Sequence, residues 1–593
     1  MEILKLINSN KQKFVVLAGS LWCISMLIVK FDYRFKYRWL VFFLWLISLG
    51  LFVVYFVLNE GKFVNNIKAN KIFDSNFILI IILALFTRFI FLRIYPFNSI
   101  GDEMRDGGWD ALRIVTGEIR NIFSYGRYEA HGLIIPTFSS LFYLIFGNST
   151  ITFKFASALI SFVDILFLYK FVEIFFNRKY AFFSAFVLIC LPLHLYYGRT
   201  EIVVVFSSIL TTINIFFIIW YIKERKAEIM RLIFLFSGFC LNFHASIKPV
   251  IFALIFILFL LLIVRLKQID IKSIKRILLE ITICIILFIV GFGPRLLFTT
   301  PNVLFHTKSV SLINKTDKYY RTFNDENYQI STKISTAFSN YQKSLLGYVK
   351  EPVSYHYTHK NPLLIFPLNI FFIIGAVFML IKGKLPHKVI LFLAMLLPFT
   401  NSAITNCVNC DHRLAVLFPI LSMITGIGFI ELTNYINKAK INYKIFKILG
   451  NTIIYSLFFI TNIFNLFDFF YNERASESMF WYQRESITQD YLLSYMIRTI
   501  KNNENLKEEE DLSIFLSKSN YDYFNLFHIN EAIEFQIPNK NISLIIDETY
   551  SINEIHVSSH KNSQTETNLY TYCEKYKRFI CPPNKEKLII KTS

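Results

Sequence analysis

Charge is scarce in this sequence. Lys, Arg, Asp and Glu make up 18% of the 593 residues, against 54% hydrophobic residues. With a mean hydropathy of +0.46, that balance excludes an ordinary soluble globular protein. Apolar runs of about 18 residues or more recur along the chain, and such runs mark helices that cross a bilayer. Acids are scarcer than bases: 42 Asp and Glu face 62 Lys and Arg, for a net charge of +20. No nucleic-acid-binding motif accompanies the excess, so no nucleic-acid partner is expected. The bases fall mostly in short gaps between apolar runs, where they set topology and meet anionic headgroups. No glycine-rich phosphate loop is present, and no cytoplasmic stretch is large enough for a nucleotide-sugar domain. No internal repeat is visible, which weighs against inverted-repeat transporters. Cys23, Cys190, Cys240 and Cys284 lie in or near apolar runs and read as small membrane residues.

What the sequence does have is a ladder of apolar runs. They lie near 14–30, 39–58, 76–95, 151–172, 181–198, 201–222, 231–244, 247–264, 277–298, 363–381, 389–401, 413–433 and 449–470. They predict a polytopic α-helical membrane protein with about thirteen transmembrane helices. The first run is read as a retained helix, since it lacks a cleavage-like small-residue pattern and a second run follows at once.

A cytoplasmic N-terminus places the lysine- and arginine-rich gaps inside, among them those with Arg178 and Lys179, Lys223 to Arg231, and Lys438 to Lys447. FDYRFKYR at 31–38 is the exception, basic yet assigned outside. The expected location is the plasma (inner) membrane, with the region from about 471 to 593 extracytoplasmic. That tail carries strand-like runs at 541–546 and 587–592 and is expected to form a small α/β domain. In an oxidising compartment Cys573 and Cys581 are a candidate disulfide. Cys407 and Cys410 are a second candidate pair, or part of a metal site with His412.

One stretch breaks the apolar pattern. NSIGDEMRDGGWDALR, residues 98–113, gathers Asp102, Glu103, Asp106 and Asp110 at the outer end of the run 76–95. Leu112, Val115, Ile119 and Ile122 are spaced as one helical stripe, predicting a short amphipathic interfacial helix. Residues 129–147 predict a second interfacial helix, because a further span there would invert every later loop and undo the charge asymmetry. Adjacent carboxylates such as Asp102 and Glu103 resist joint burial without a cation or donor. The stretch is therefore either a wet loop or the reacting end of an enzyme, and Asp106 and Asp110 are expected on the wet face of the helix.

An ordered set of phrases resembles one family. GDEMRDGGWDALRIVTGEIR (101–120) sits where the family opens its first outer loop with an Asp-Glu pair. HGLIIPTFSSLFYLIFGNSTITFKFAS (131–157), FFNRKYAFFSAFVL (175–188), YYGRTEIVVVF (196–206) and DHRLAVLFPILSMITGIG (411–428) follow in order. In the family a proline directly follows the position of His131; here Pro136 comes later. Glu201 stands where the family more often has an Asp a few positions on. Across roughly 76–433 the chain resembles the GT-C superfamily of polyprenyl-phosphate-sugar-dependent glycosyltransferases, of the protein O-mannosyltransferase and aminoarabinose-transferase type.

The resemblance implies a catalytic membrane domain over 76–433 with outer loops 96–150 and 299–362. It leaves an additional N-terminal hairpin over 1–75, a last span and its preceding loop over 434–470, and the extracytoplasmic domain over 471–593. It implies a polyprenyl-phosphate sugar donor that enters from the membrane lipids, an extracytoplasmic acceptor, and inversion at the anomeric carbon. Transfer needs a base near the acceptor, help for the departing phosphate, and positioning. Asp102 is the candidate base or acceptor-orienting residue, with Glu103 as its companion. Arg105, His131, Arg199, Glu201, Lys248, His412 and Arg413 are the candidate substrate and lipid-phosphate ligands. Glu103 and Glu201 are the candidate ligands of a divalent cation, Mg2+ or Mn2+. Two alternatives stay open: a lipid-linked polysaccharide ligase or polymerase, to which Arg321, His356 and His359 in the late loop would be suited, and a multi-pass transporter or flippase.

Overall fold

The computed structural model describes residues 11–59, 74–92, 108–124, 132–147, 150–200, 204–266, 271–299, 330–353, 361–399, 408–439, 444–471, 511–516, 541–546, 554–559 and 589–592. Helices α1 (Lys11–Phe31) and α2 (Arg38–Asn59) pack as a hairpin. In its turn Tyr37 N–H donates to the Asp32 carboxylate at 2.7 Å. Across it Ser48 Oγ donates to the Ala18 carbonyl at 2.7 Å. Helix α3 (Ser75–Phe89) starts at Asp74, whose side chain accepts from Phe77 N–H at 2.7 Å, one of the orphan donors of a first turn.

Two short helices follow, α4 (Asp110–Thr116) and α5 (Ile134–Phe146), and they pack on each other. The bundle then continues with α6 (Thr150–Phe175), α7 (Arg178–Cys190), α8 (Pro192–Tyr197), α9 (Val205–Glu224), α10 (Ala227–Cys240), α11 (Lys248–Leu266) and α12 (Ile271–Phe292). After these come α13 (Ile330–Leu346), α14 (Leu368–Ile381), α15 (Leu385–Pro398), α16 (Asp411–Leu414), α17 (Phe418–Lys438) and α18 (Lys444–Tyr471). Helix α10 crosses α12 closely because Gly238 faces the Phe288 carbonyl and Gly291 faces the Leu235 carbonyl, with no room for a Cβ on either side. Among the seven helices long and apolar enough to span, α9 and α17 are the most deeply buried, and they contact each other.

The chain is a polytopic α-helical membrane protein, but about thirteen spans is a wrong expectation. Among the described residues seven helices are long and apolar enough to cross a membrane, and five further apolar helices are shorter. The reason is that an apolar run need not be one continuous helix. The run 181–198 is cut at Leu191, which leaves the helical region before Pro192, as residues before proline tend to do. The runs at 76–95 and 389–401 yield helices of 15 and 14 residues, and the second has Pro398 at its end. Helix α5, outside the thirteen expected runs, has 13 residues, about 20 Å at 1.5 Å per residue and short of the roughly 30 Å hydrocarbon core.

The tail is also corrected. Among its described residues there are strands and no helix, so the expected α/β domain does not stand as stated. Strands β1 (Asp511–Leu516), β2 (Asn541–Ile546), β3 (Glu554–Ser559) and β4 (Ile589–Thr592) form one mixed sheet in the order β2-β1-β3-β4. β1 runs parallel to β2 and antiparallel to β3, and β3 runs parallel to β4. Ile514 of β1, central in this order, is fully buried.

Candidate functional site

Asp102, Glu103, Arg105, Asp106, His131 and Glu201 lie outside the described residues, as do Arg321, His356, His359, Cys407, Cys573 and Cys581. Among the described residues no group of three or more His, Cys, Asp and Glu side chains is placed to hold a metal ion. Cys410 is buried and disulfide-bonded, while Cys23, Cys190, Cys240 and Cys284 are free thiols.

The acidic stretch resumes at α4, and there one expectation fails. Asp110 is only 5% exposed rather than on a wet face. Helix α4 buries Asp110, Ala111 and Ile114, a stripe one residue before the Leu112 and Val115 positions of the predicted one. The helix ends at Gly117, in left-handed backbone with φ 85, before the Ile119 and Ile122 positions of the predicted stripe. Arg113 turns back to Asp110 at 4.0 Å and to Glu118 at 3.1 Å.

A buried polar network surrounds the end of α3. Arg88 is fully buried, and its five N–H donors meet five acceptors. Nε donates to Ser161 Oγ at 2.7 Å, Nη1 to Thr87 Oγ1 at 3.0 Å and to the Ile189 carbonyl at 3.2 Å. Nη2 donates to the Leu188 carbonyl at 3.3 Å and to His194 Nδ1 at 2.8 Å. Because a guanidinium only donates, His194 Nδ1 is the acceptor and the imidazole proton sits on Nε2. Nε2 lies 3.3 Å from Asp164 Oδ2, close enough for electrostatic attraction but poorly aligned for a hydrogen bond. Asp164 accepts from Ser208 Oγ at 2.6 Å and Thr212 Oγ1 at 2.7 Å. A cation and an anion are thus linked through a neutral imidazole, all three side chains out of contact with solvent.

Arg199, expected at the phosphate, is placed beside this network. Its Nη1 donates to the Thr87 and Arg88 carbonyls at 2.7 and 3.1 Å, and Nη2 to the Ile90 carbonyl at 2.6 Å. These are carbonyls of the last turn of α3, where cations are favoured by the helix dipole. Phe470, at the end of α18, covers the guanidinium at 4.9 Å.

Lys248 and His412 with Arg413, by contrast, are brought together from distant parts of the chain. Residues 245–247 form a 3-10 turn that leads into α11 at Lys248, and α16, which carries His412 and Arg413, packs on that turn. The His244 and His412 rings meet edge to face at 6.3 Å. His244 Nδ1 accepts from Ser246 N–H at 3.2 Å, which leaves its proton on Nε2. Ser246 Oγ lies 2.7 Å from the same nitrogen and donates to Ser207 Oγ at 2.8 Å, tying the turn to α9.

A further cation of the cluster, Arg295, was not foreseen, nor was His244. Arg295 follows α12 and is 3% exposed. It is near enough to Lys248 for their charges to repel. Nη1 donates to the Leu241 carbonyl at 3.0 Å. The guanidinium lies over Gly132, where a Cβ would come within 2.9 Å of Cζ. A lone arginine in the apolar run 277–298 was the available signal, since an ionised residue at membrane depth is costly and marks function by default. Lys248, Arg295, His244, His412 and Arg413 therefore line one mouth of the bundle, at the starts of α11 and α17 and the end of α12. Such a set of donors suits an anion with several oxygens, above all a phosphate.

Residues 130–292 match the family model described as dolichyl-phosphate-mannose-protein mannosyltransferase. No curated protein matches the chain. Among solved structures, ArnT from Cupriavidus metallidurans bound to undecaprenyl phosphate is 12% identical over 77% of this chain and 76% of its own, with a TM-score of 0.41. The apo oligosaccharyltransferase of Archaeoglobus fulgidus is 11% identical over 79% of this chain and 64% of its own, with a TM-score of 0.46. Likeness at that level does not bear on the chemistry.

Proposed function

We propose that the protein is a membrane glycosyltransferase that moves a sugar from a polyprenyl-phosphate donor to an extracytoplasmic acceptor. The observation that carries the reading is the convergence of Lys248, Arg295, His244, His412 and Arg413 at one mouth of a membrane-embedded bundle. The matched family model, which spans His244 and Lys248, supports the same reading. A lipid phosphate reaches such a mouth from the bilayer, with its isoprenoid chain left in hydrocarbon.

In the proposed reaction the acceptor oxygen attacks the anomeric carbon as the bond from that carbon to the phosphate oxygen breaks. Negative charge grows on the departing lipid phosphate, where preorganised cations lower the barrier most. Lys248 and Arg295 take that charge, and His412 and Arg413 orient the phosphate. Asp102 accepts the acceptor's proton or orients its hydroxyl, and Glu103 supports it. Glu103 and Glu201 are the proposed ligands of a divalent cation, if the donor binds with one. Inversion at the anomeric carbon follows from single in-line displacement.

The test uses the full chain in nanodiscs with synthetic polyprenyl-phosphate sugars and membrane extracts as acceptor. Wild type is expected to transfer sugar and release lipid phosphate. Asp102→Asn is expected to lower transfer at least about a hundredfold, the usual scale for a general base, while donor binding persists. Full transfer by properly inserted Asp102→Asn removes Asp102 from this role.

A further inference from the structure

The hairpin α1–α2 lies outside the residues matched by the family model, yet it reaches the mouth. We infer that Trp45 of α2 is a positioning residue that sets Arg295 for the lipid phosphate, an inference that rests on the function proposed above.

The chain needs something to do this because α12 ends awkwardly. In a regular helix the Val290 carbonyl accepts from the N–H four residues on, but that residue is Pro294, which has none. The orphaned carbonyl is buried, and an unsatisfied buried acceptor is costly. Trp45, itself fully buried, supplies the missing donor: its indole Nε1–H reaches the Val290 carbonyl at 3.1 Å. The next residue that matters is Gly293, in left-handed backbone with φ +65, a conformation open to glycine at little cost. A Cβ at Gly293 would collide with the Trp45 indole as well. Glycine is thus required at this position both by the turn and by the ring lying against it.

The turn decides where Arg295 points. Gly293 begins a 3-10 segment, Gly293–Phe298, in which Arg295 is the sole cation. Its guanidinium returns into the bundle to the Leu241 carbonyl and over Gly132. Asn242 holds the other side of the turn, donating from Nδ2 to the Phe292 carbonyl at 3.2 Å. The hairpin grips the same segment at two more places: α1 packs on it, and Phe35 meets Phe298 edge to face at 5.6 Å. Trp45 is braced from behind by Phe239 and Phe123, with ring centroids at 5.7 and 6.4 Å. The hairpin therefore acts as a clamp on the Arg295 turn, with the indole N–H as a polar contact to α12.

The experiment measures binding of undecaprenyl phosphate to the full-length protein in nanodiscs, and hydrogen exchange of backbone amides in residues 293–299. Trp45→Phe keeps a ring and removes the donor. Ser48→Ala is the control, since it removes a buried hydrogen bond of the same hairpin that does not touch the turn. Trp45→Phe is expected to weaken binding about tenfold, the scale of one buried hydrogen bond, and to speed exchange in 293–299. Ser48→Ala is expected to lower thermal stability comparably while leaving both readouts unchanged. Adding Trp45→Phe to Arg295→Gln is expected to cost no further affinity, because Trp45 acts through Arg295. Wild-type affinity in Trp45→Phe, equal losses in both variants, or additive losses in the double variant each overturn the assignment. If wild type does not bind undecaprenyl phosphate, the proposed function fails and so does the ligand half of this inference. In that case unchanged exchange in Trp45→Phe overturns the positioning half as well.

Discussion

Arg88 and Arg295 are both buried arginines of the same bundle, and their surroundings differ in kind. Around Arg88 the protein provides an acceptor for every donor and a carboxylate, Asp164, on the far side of a neutral histidine. Around Arg295 it places more positive charge and imidazole: Lys248 is close enough to repel it, and His244 and His412 line the same mouth. Removing charge from water is expensive. A compensated arginine is a structural peg, and its worth lies in holding α3, α6, α7 and α8 in one arrangement. Charges of like sign brought to one place are suited to an arriving anion. The difference teaches that burial of an arginine does not by itself identify a binding residue. The groups that surround it have to be read as well.

The contrast is broken most sharply at Asp164. Asp164→Leu leaves the Arg88 cation buried without its counter-charge, and is expected to cost about 3–5 kcal/mol. Loss of the folded, monodisperse protein in detergent, with partial recovery in Arg88→Met/Asp164→Leu, is the result to look for. A stably folded Asp164→Leu protein would show that Arg88 does not depend on Asp164.

Lys248 at the mouth is expected to behave the other way. Lys248→Gln keeps a hydrogen-bonding side chain and removes the charge, so little change in melting temperature is expected. Affinity for undecaprenyl phosphate is expected to fall about tenfold, one charge-assisted hydrogen bond's worth. Unchanged affinity would detach Lys248 from the phosphate; unfolding would place it with the structural pegs.

The smallest effect is expected at the opposite end of α3. Burial works to raise the Asp74 carboxyl, but the Phe77 N–H, the Tyr169 hydroxyl and the charges of Arg178 and Lys170 outweigh it and hold the pKa below its ordinary 3.8. A carboxylate depressed in the folded state stabilises fully above its unfolded pKa and loses that contribution as pH falls through the folded one. Asp74→Asn is therefore expected to melt lower than wild type at neutral pH, by an amount that shrinks below pH 3.8. Melting curves across that range check it, and a pH-independent gap would mean that the cap acts through shape alone.

The legibility of these parts in the sequence differed for physical reasons. Lys248, His412 and Arg413 stood out through the family resemblance and because an ionised residue near membrane depth is costly. Arg199 stood out for the same reason, yet its guanidinium reaches the carbonyls of Thr87, Arg88 and Ile90, which are more than 100 residues away in sequence. Nothing local marks such a partner. Asp110 was expected in water because it lies off the stripe of Leu112, Val115, Ile119 and Ile122, but the helix that holds it starts at Asp110 itself and turns that first residue inward. Trp45 carried no signal at all, since its role depends on a carbonyl left open by Pro294 in another helix.

By itself the sequence determined that this chain lives in a membrane, where its apolar runs lie, and that a few polar residues at their ends needed an explanation. Those properties follow from transfer free energies, which are summed along the chain and need no fold. Only the tertiary structure decided how many runs are unbroken helices, which cations are compensated and which converge. Compensation and convergence depend on distances of a few ångströms between residues far apart in sequence, and it is those distances that separate the peg at Arg88 from the mouth at Arg295.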